Sequence, residues 1–142
     1  MSGNVGPMKT TTKATATTEL AGWDEHDYDT PQGRPKLAET QMRYTYRGEL
    51  TADGAARGQM VYRDSDNAEF TGLERVSGRL GDRAGSFVVR IGGVYESGVV
   101  TYEWTILDGT ATDDLRGLTG GGKVVWAHGQ SGTLTFSYAL DA

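Results

Sequence analysis

The chain has 142 residues, of which 21 are glycine, 3 are proline and none is cysteine, and its formal net charge is -5. That length fits one domain. The missing cysteines exclude disulfides, thiolate zinc sites and cysteine nucleophiles, and the acidic balance, with no Lys/Arg run, argues against nucleic acid or an anionic membrane as partner. No apolar stretch is long enough to span a bilayer, and with no bridges to form and no apolar leader a cytoplasmic location is expected.

Residues 1–7 are small, polar and unpatterned, and read as a flexible leader before a single domain over 8–142. From there the hydrophobic period is two, never a sustained 3.6, so strands are expected throughout. The first, over 8–20, is Thr-rich and places Ala14, Ala16, Thr18 and Leu20 on one face. Trp23-Asp24-Glu25-His26-Asp27-Tyr28-Asp29, closed by Pro31 and Gly33, reads as an acidic loop of the kind that covers a barrel mouth. Residues 35–42 fit a strand or, through Leu37, Ala38 and Met42, a helical turn. Met42, Tyr44, Tyr46, Gly48 and Leu50 alternate with polar residues, and Asp53-Gly54 is the expected turn. A short strand with Met60 and Tyr62 inward ends in Asp64-Ser65-Asp66-Asn67. Strands are then expected over 70–80, closed by Gly81-Asp82, around Phe87, Val89 and Ile91, and from Val100 to Ile106, closed by Asp108-Gly109. The Gly-rich stretch 115–122 leads into Val124 and Trp126, and Leu134, Phe136, Tyr138 and Leu140 make the last strand.

About eight strands with hairpin-length links point to an all-β fold, a closed antiparallel β-barrel with little helix; a two-sheet sandwich has the same alternation. The expected interior is rich in rings: Tyr44, Tyr46, Met60, Tyr62, Phe70, Val76, Phe87, Tyr102, Trp104, Trp126, Phe136 and Tyr138. Tyrosine and tryptophan combine an apolar body with a polar tip that needs a partner, which suits a ligand cavity lined by Tyr44, Tyr46, Met60, Tyr62, Phe87, Tyr102, Trp104, Trp126 and Tyr138. The same rings could also simply fill a narrow barrel.

One residue breaks the apolar face. Glu74 falls in phase with Phe70, Val76 and Leu80, flanked by Gly72 and Gly78. An inward carboxyl must be paired, hydrogen-bonded or held protonated. Glu74 is therefore the candidate catalytic acid or base, with two alternatives: a register-fixing structural glutamate, or a residue turned outward by a bulge near Gly72.

Other motifs fall away. Gly117-Leu118-Thr119-Gly120-Gly121-Gly122-Lys123 meets the first seven positions of a phosphate-binding loop, but Val124 stands where Ser or Thr must be, and a strand follows instead of a helix. His128-Gly129-Gln130-Ser131-Gly132 lacks nucleophile spacing and reads as a turn. Asp64-Ser65-Asp66-Asn67 lacks the Gly and closing Glu of a calcium loop, and His26 and His128 have no ligand spacing between them. No metal and no cofactor is expected.

Several short motifs taken together carry a resemblance: Trp23-Asp24-Glu25, Gly72-Leu73-Glu74-Arg75-Val76 with Gly78, Gly85-Ser86-Phe87, Trp104, Leu115-Arg116-Gly117-Leu118 with Gly120 and Gly122, and His128-Gly129. In these the chain resembles an uncharacterised bacterial family of small domains with an allene oxide cyclase-like barrel, over residues 8–141. The wider barrel class includes allene oxide cyclases and polyketide cyclases, and that resemblance implies cofactor-free ring formation inside an aromatic-lined cavity.

The leading expectation is thus a cofactor-free cyclase or isomerase of a small apolar metabolite, polyketide- or lipid-like, acting in biosynthesis. It would work largely by orienting its substrate. A non-catalytic carrier of such a ligand is the alternative. A third reading is a structural, oligomerising module, with outward Leu73, Val88 and Val99 hinting at a homodimer.

Overall fold

The computed structural model describes residues 10–127 and 131–140. The expected leader and the His128-Gly129-Gln130 part of the expected turn lie outside the described residues. Eight strands form a closed antiparallel barrel in simple sequential order: β1 (Thr12–Asp29), β2 (Lys36–Gly48), β3 (Leu50–Asp64), β4 (Asn67–Leu80), β5 (Arg83–Glu96), β6 (Val99–Ile106), β7 (Thr119–Trp126) and β8 (Gly132–Ala139). Closure is made by β8 lying beside β1, from Thr12↔Tyr138 to Thr18↔Gly132. The barrel rather than the sandwich is therefore the fold.

Two local expectations are corrected and one open alternative is resolved. The acidic segment is not a loop: β1 runs on through it to Asp29, paired with β2 from Gly22↔Arg43 to Asp29↔Leu37. An extra residue hides this from a period-two reading. The register shifts between Leu20 and Gly22, so the face that holds Ala16, Thr18 and Leu20 continues in Trp23 and Glu25, which lie opposite Met42 and Thr40. Residues 36–42 are strand, not helical turn. Asp53 and Gly54 lie inside β3, and the reversal between β2 and β3 falls at Gly48–Glu49 instead. Gly48 has φ 127°, a conformation open to glycine and strained for other residues.

The turns after β3, β4 and β6 fall where expected. In the first, Asp64 accepts from the Asp66 backbone N–H at 2.8 Å and from the Asn67 side-chain amide, so the acidic quartet is a self-bonded turn. Gly120, Gly121 and Gly122 are strand residues of β7. A side chain on Gly122 would overlap the Thr135 and Phe136 backbone, so these glycines let β7 and β8 approach at a sharp bend rather than cradle phosphate.

One end of the barrel is shut. β6 covers only the second half of β5, and the connection after β6 takes over the first half. The Leu107 N–H donates to the Val88 carbonyl at 2.9 Å, the Thr112 N–H to that of Ser86 at 2.8 Å, and the Val88 N–H to the Thr110 hydroxyl at 3.0 Å. A single 3-10 turn, Asp113–Leu115, then turns Leu115 and Leu118 into the core, where both are buried. Val88 is consequently only half-exposed, while Leu73 and Val99 stand clear at 53% and 43% exposure.

Candidate functional site

The interior divides into a packed floor and an open cup. Toward the closed end Tyr46, Phe87, Trp104 and Phe136 pack ring against ring, with centroids 5.8 Å apart for Phe87–Trp104 and 5.0 Å for Trp104–Phe136. Tyr138 continues this stack from Phe136 at 5.7 Å. Toward the other end lies a cavity of about 410 Å³, walled by the end of β1 (Leu20, Trp23, Glu25), the start of β2 (Thr40, Met42, Tyr44), the end of β3 (Met60, Tyr62), Ser65, Phe70, Tyr95, Val100, Tyr102 and Trp126.

Of the residues expected to line a cavity, Tyr44, Met60, Tyr62, Tyr102 and Trp126 are in this wall. Tyr46, Phe87, Trp104 and Tyr138 are absent from it and belong to the packed stack. One barrel thus has rings around an open space at one end and rings packed together at the other. Sequence reasoning missed Trp23, Glu25 and Thr40. The first two fall in the acidic run that reads as a loop, because the alternation that reveals them changes phase at Ala21.

Glu74 faces inward, as its phase demands, and is 1% exposed, but it is not part of the cavity wall. It lies just behind it. The Tyr46 hydroxyl donates to Glu74 Oε2 at 2.5 Å. Tyr46 stands on β2 and Glu74 on β4, so the bond bridges β3, and it does so above Gly54, where a side chain would collide with the carboxylate. Glu74 Oε1 has no protein partner. Burial pushes the carboxyl up to about 7, against the pull of the Tyr46 hydrogen bond, which favours the charged form. Burial likewise raises the hydroxyls of Tyr44, Tyr46 and Tyr102, and a charge on Glu74 raises all three further. Two of those tyrosines, Tyr44 and Tyr102, are wall residues, so Glu74 and the cavity are in electrostatic contact.

The wall itself carries unspent hydrogen-bonding capacity. Thr40 Oγ1, Tyr102 Oη and Trp126 Nε1 are buried with no hydrogen-bond partner among the described residues. The Tyr44 hydroxyl donates to the Met42 sulfur at 3.1 Å, a weak acceptor, and interacts with the neighbouring Tyr102 hydroxyl. Near the mouth the Tyr62 hydroxyl donates to Glu25 Oε1 at 2.7 Å, and that bond together with burial raises the Tyr62 hydroxyl above its usual range. Lys36 sits 4.5 Å from the centre of the Tyr62 ring and pairs with Asp27 at 3.3 Å.

A larger concavity, about 670 Å³, lies across the outside of β1–β5 between Asp24, His26, Glu39, Arg57 and Arg90. Its lining is rich in charged side chains, and Thr40 is the one member of it that is also buried without a partner among the described residues. The inner cup is the better site, because it combines enclosure, apolar rings and unpaired polar atoms. Among the described residues no group of three or more His, Asp or Glu could hold a metal ion, and no helix is long and apolar enough to cross a membrane.

No curated protein matches the sequence. A crystal structure of a DUF3224-family protein of unknown function from Shewanella oneidensis MR-1 is similar, with a TM-score of 0.75 at 20% identity over 94% of this chain and 100% of that one. Such a likeness speaks for the fold. At the level of sequence, the family described as "Protein of unknown function (DUF3224)" matches residues 14–138, nearly the whole barrel from β1 to β8, and the chain belongs to that family.

Proposed function

We propose that the protein is a small-molecule-binding barrel that takes an apolar metabolite, of lipid- or polyketide-like character, into the cup. The observation that carries this reading is the pairing of an apolar cavity of about 410 Å³ with buried, unpartnered Thr40, Tyr102 and Trp126 polar atoms in its wall. The volume lies within the usual range for small-ligand sites, roughly 300–1,000 Å³. A buried polar group without a partner costs free energy that a ligand atom can recover. Trp23 and Trp126 both line the cup, so occupancy is readable in their fluorescence. A saturable emission shift on titration with an apolar probe is expected, abolished by Val100→Trp, which fills the cavity. No saturable shift with any apolar probe, or a shift unchanged in Val100→Trp, would refute the reading.

A second reading, cofactor-free cyclisation or isomerisation inside the cup, is favoured by Glu74. A carboxyl with its pKa near 7 is suited to proton transfer at neutral pH. Because Glu74 stands behind the wall, its effect on a bound molecule would pass through the Tyr44 or Tyr102 hydroxyl. Once a ligand is found, catalysis predicts that it is recovered as a rearranged product, and that Glu74→Gln slows this far more than it weakens binding. Recovery of unchanged ligand after long incubation identifies a carrier.

A further inference from the structure

The charge and the rings of the cup together select one kind of occupant. Among the described wall residues there is no lysine, arginine or histidine, and the one carboxylate among them is Glu25. An anionic head group, such as that of a fatty acid, would find at the rim only Lys36, already paired with Asp27, and would meet Glu25 and, deeper, Glu74. A neutral ligand would gain from burial but leave Glu25 unused. The wall also presents the faces and edges of Trp23, Tyr44, Tyr62, Phe70, Tyr102 and Trp126. Two pairs of these are held edge to face, Tyr44–Trp126 at 5.9 Å and Phe70–Tyr102 at 5.4 Å, and are thereby fixed rather than free to turn. Aromatic rings ranged around a carboxylate are the arrangement that recognises organic cations, through attraction of the cation to the negative face of each ring. The barrel already makes one such contact: Lys36 lies over the Tyr62 ring, its charge balanced by Asp27.

Resting on the reading of the cup as a ligand site, we infer that its ligand class is lipophilic cations: an apolar body with an amine or quaternary ammonium group at the Glu25 side. The Tyr62 hydroxyl holds one oxygen of Glu25 at 2.7 Å, which fixes the carboxylate and leaves its other oxygen for the cation. Trp126 Nε1 and Tyr102 Oη, both without hydrogen-bond partners among the described residues, accommodate a hydrogen-bond acceptor elsewhere on the ligand. Trp126 can only donate, so that second group is a carbonyl, ether or hydroxyl oxygen.

The test is isothermal titration of the whole protein with three probes of equal chain length below their micelle concentrations: octyltrimethylammonium, octanol and octanoate. The expected order is ammonium tighter than octanol by roughly tenfold, the size of a desolvated cation–π contribution, with octanoate weakest. Glu25→Gln keeps an acceptor for Tyr62 at an accessible position. It is expected to weaken the ammonium severalfold and leave octanol unchanged. If octanol binds as tightly as the ammonium, or octanoate binds best, the cationic class is wrong while the cup remains a ligand site. If none of the three binds, the reading of the cup falls together with the inference.

Discussion

Tyr46 and Glu74 reach each other across an intervening strand, and they can do so because the residue beneath their 2.5 Å hydrogen bond is Gly54. Residues directly opposite in the ladder are Tyr46↔Ala52 and Ala56↔Glu74. The two partners therefore lean toward each other over the small-residue track Ala52, Gly54, Ala56 on β3. A larger residue at the middle of that track would separate an acid from the group that stabilises its charged form. The acid, its donor and the glycine behave as one unit.

The pH dependence of stability follows from that unit. Folding raises the Glu74 carboxyl from 4.5 to about 7, so the folded state holds a proton that the unfolded state has released. This contribution is fully present below pH about 4.5 and is lost as the pH rises through about 7, an effect of ~3 kcal/mol. In Glu74→Gln it vanishes. Chemical denaturation of both proteins between pH 4 and 8 should show the wild-type-minus-variant stability falling across that window; a flat difference would mean that Glu74 is already ionised in the folded state at pH 5.

Gly54→Ala should destabilise by about 1–3 kcal/mol, the usual cost of forcing volume into a packed core, since the new methyl overlaps the carboxylate and lies 3.2 Å from the Tyr46 ring. In the Glu74→Ala background the same substitution should cost much less. A double-mutant cycle by denaturant titration measures that coupling; additive effects would show that the overlap is relieved elsewhere.

Tyr102→Phe separates stability from binding. Its hydroxyl is buried with no hydrogen-bond partner among the described residues, so removing it from the empty protein should be neutral or stabilising by up to about 1 kcal/mol. The same change should weaken a ligand carrying a hydrogen-bond acceptor. Thermal denaturation together with fluorescence titration gives both numbers, and a large loss of stability would reveal a partner for the hydroxyl in the empty protein.

The closed end has its own test. Leu115 is fully buried, although it sits on a three-residue turn in the connection between β6 and β7. Leu115→Ala should cost about 2–5 kcal/mol, as for a core leucine, while leaving the cup at the opposite end able to bind. A cost under 1 kcal/mol would show that the connection contributes little to closing the barrel.

The strands were legible where inward and outward residues alternate without interruption, as from Met42 to Tyr46 and from Phe70 to Leu80. Glu74 stood out because a carboxyl in an apolar phase needs a physical reason. What the pattern hid has two causes. Glycine is both a turn residue and a residue of tightly curved strands, so Gly54 and Gly120 to Gly122 read as turn or loop while the structure has them in strands at close approaches. An alternation rule also breaks at a bulge, and the one at Ala21 moved Trp23 and Glu25 out of phase and out of the expected lining. Which rings surround space and which pack solid depends on how far each strand extends past its neighbours, a property of the assembled barrel rather than of any one segment.

The unequal strand lengths carry a cost that the acidic residues offset. Beyond Thr18, β1 pairs with β2 alone among the described residues, so the eleven residues 19–29 of β1 leave one ladder edge without a partner strand among them. Such an edge invites another chain to add to it. Glu19, Asp24, Asp27 and Asp29 lie along this segment, with Glu25 turned into the cup, so two copies approaching edge to edge would bring like charges together. The charge run that resembles an idle solvated loop is thus placed where like-charge repulsion opposes edge-to-edge pairing.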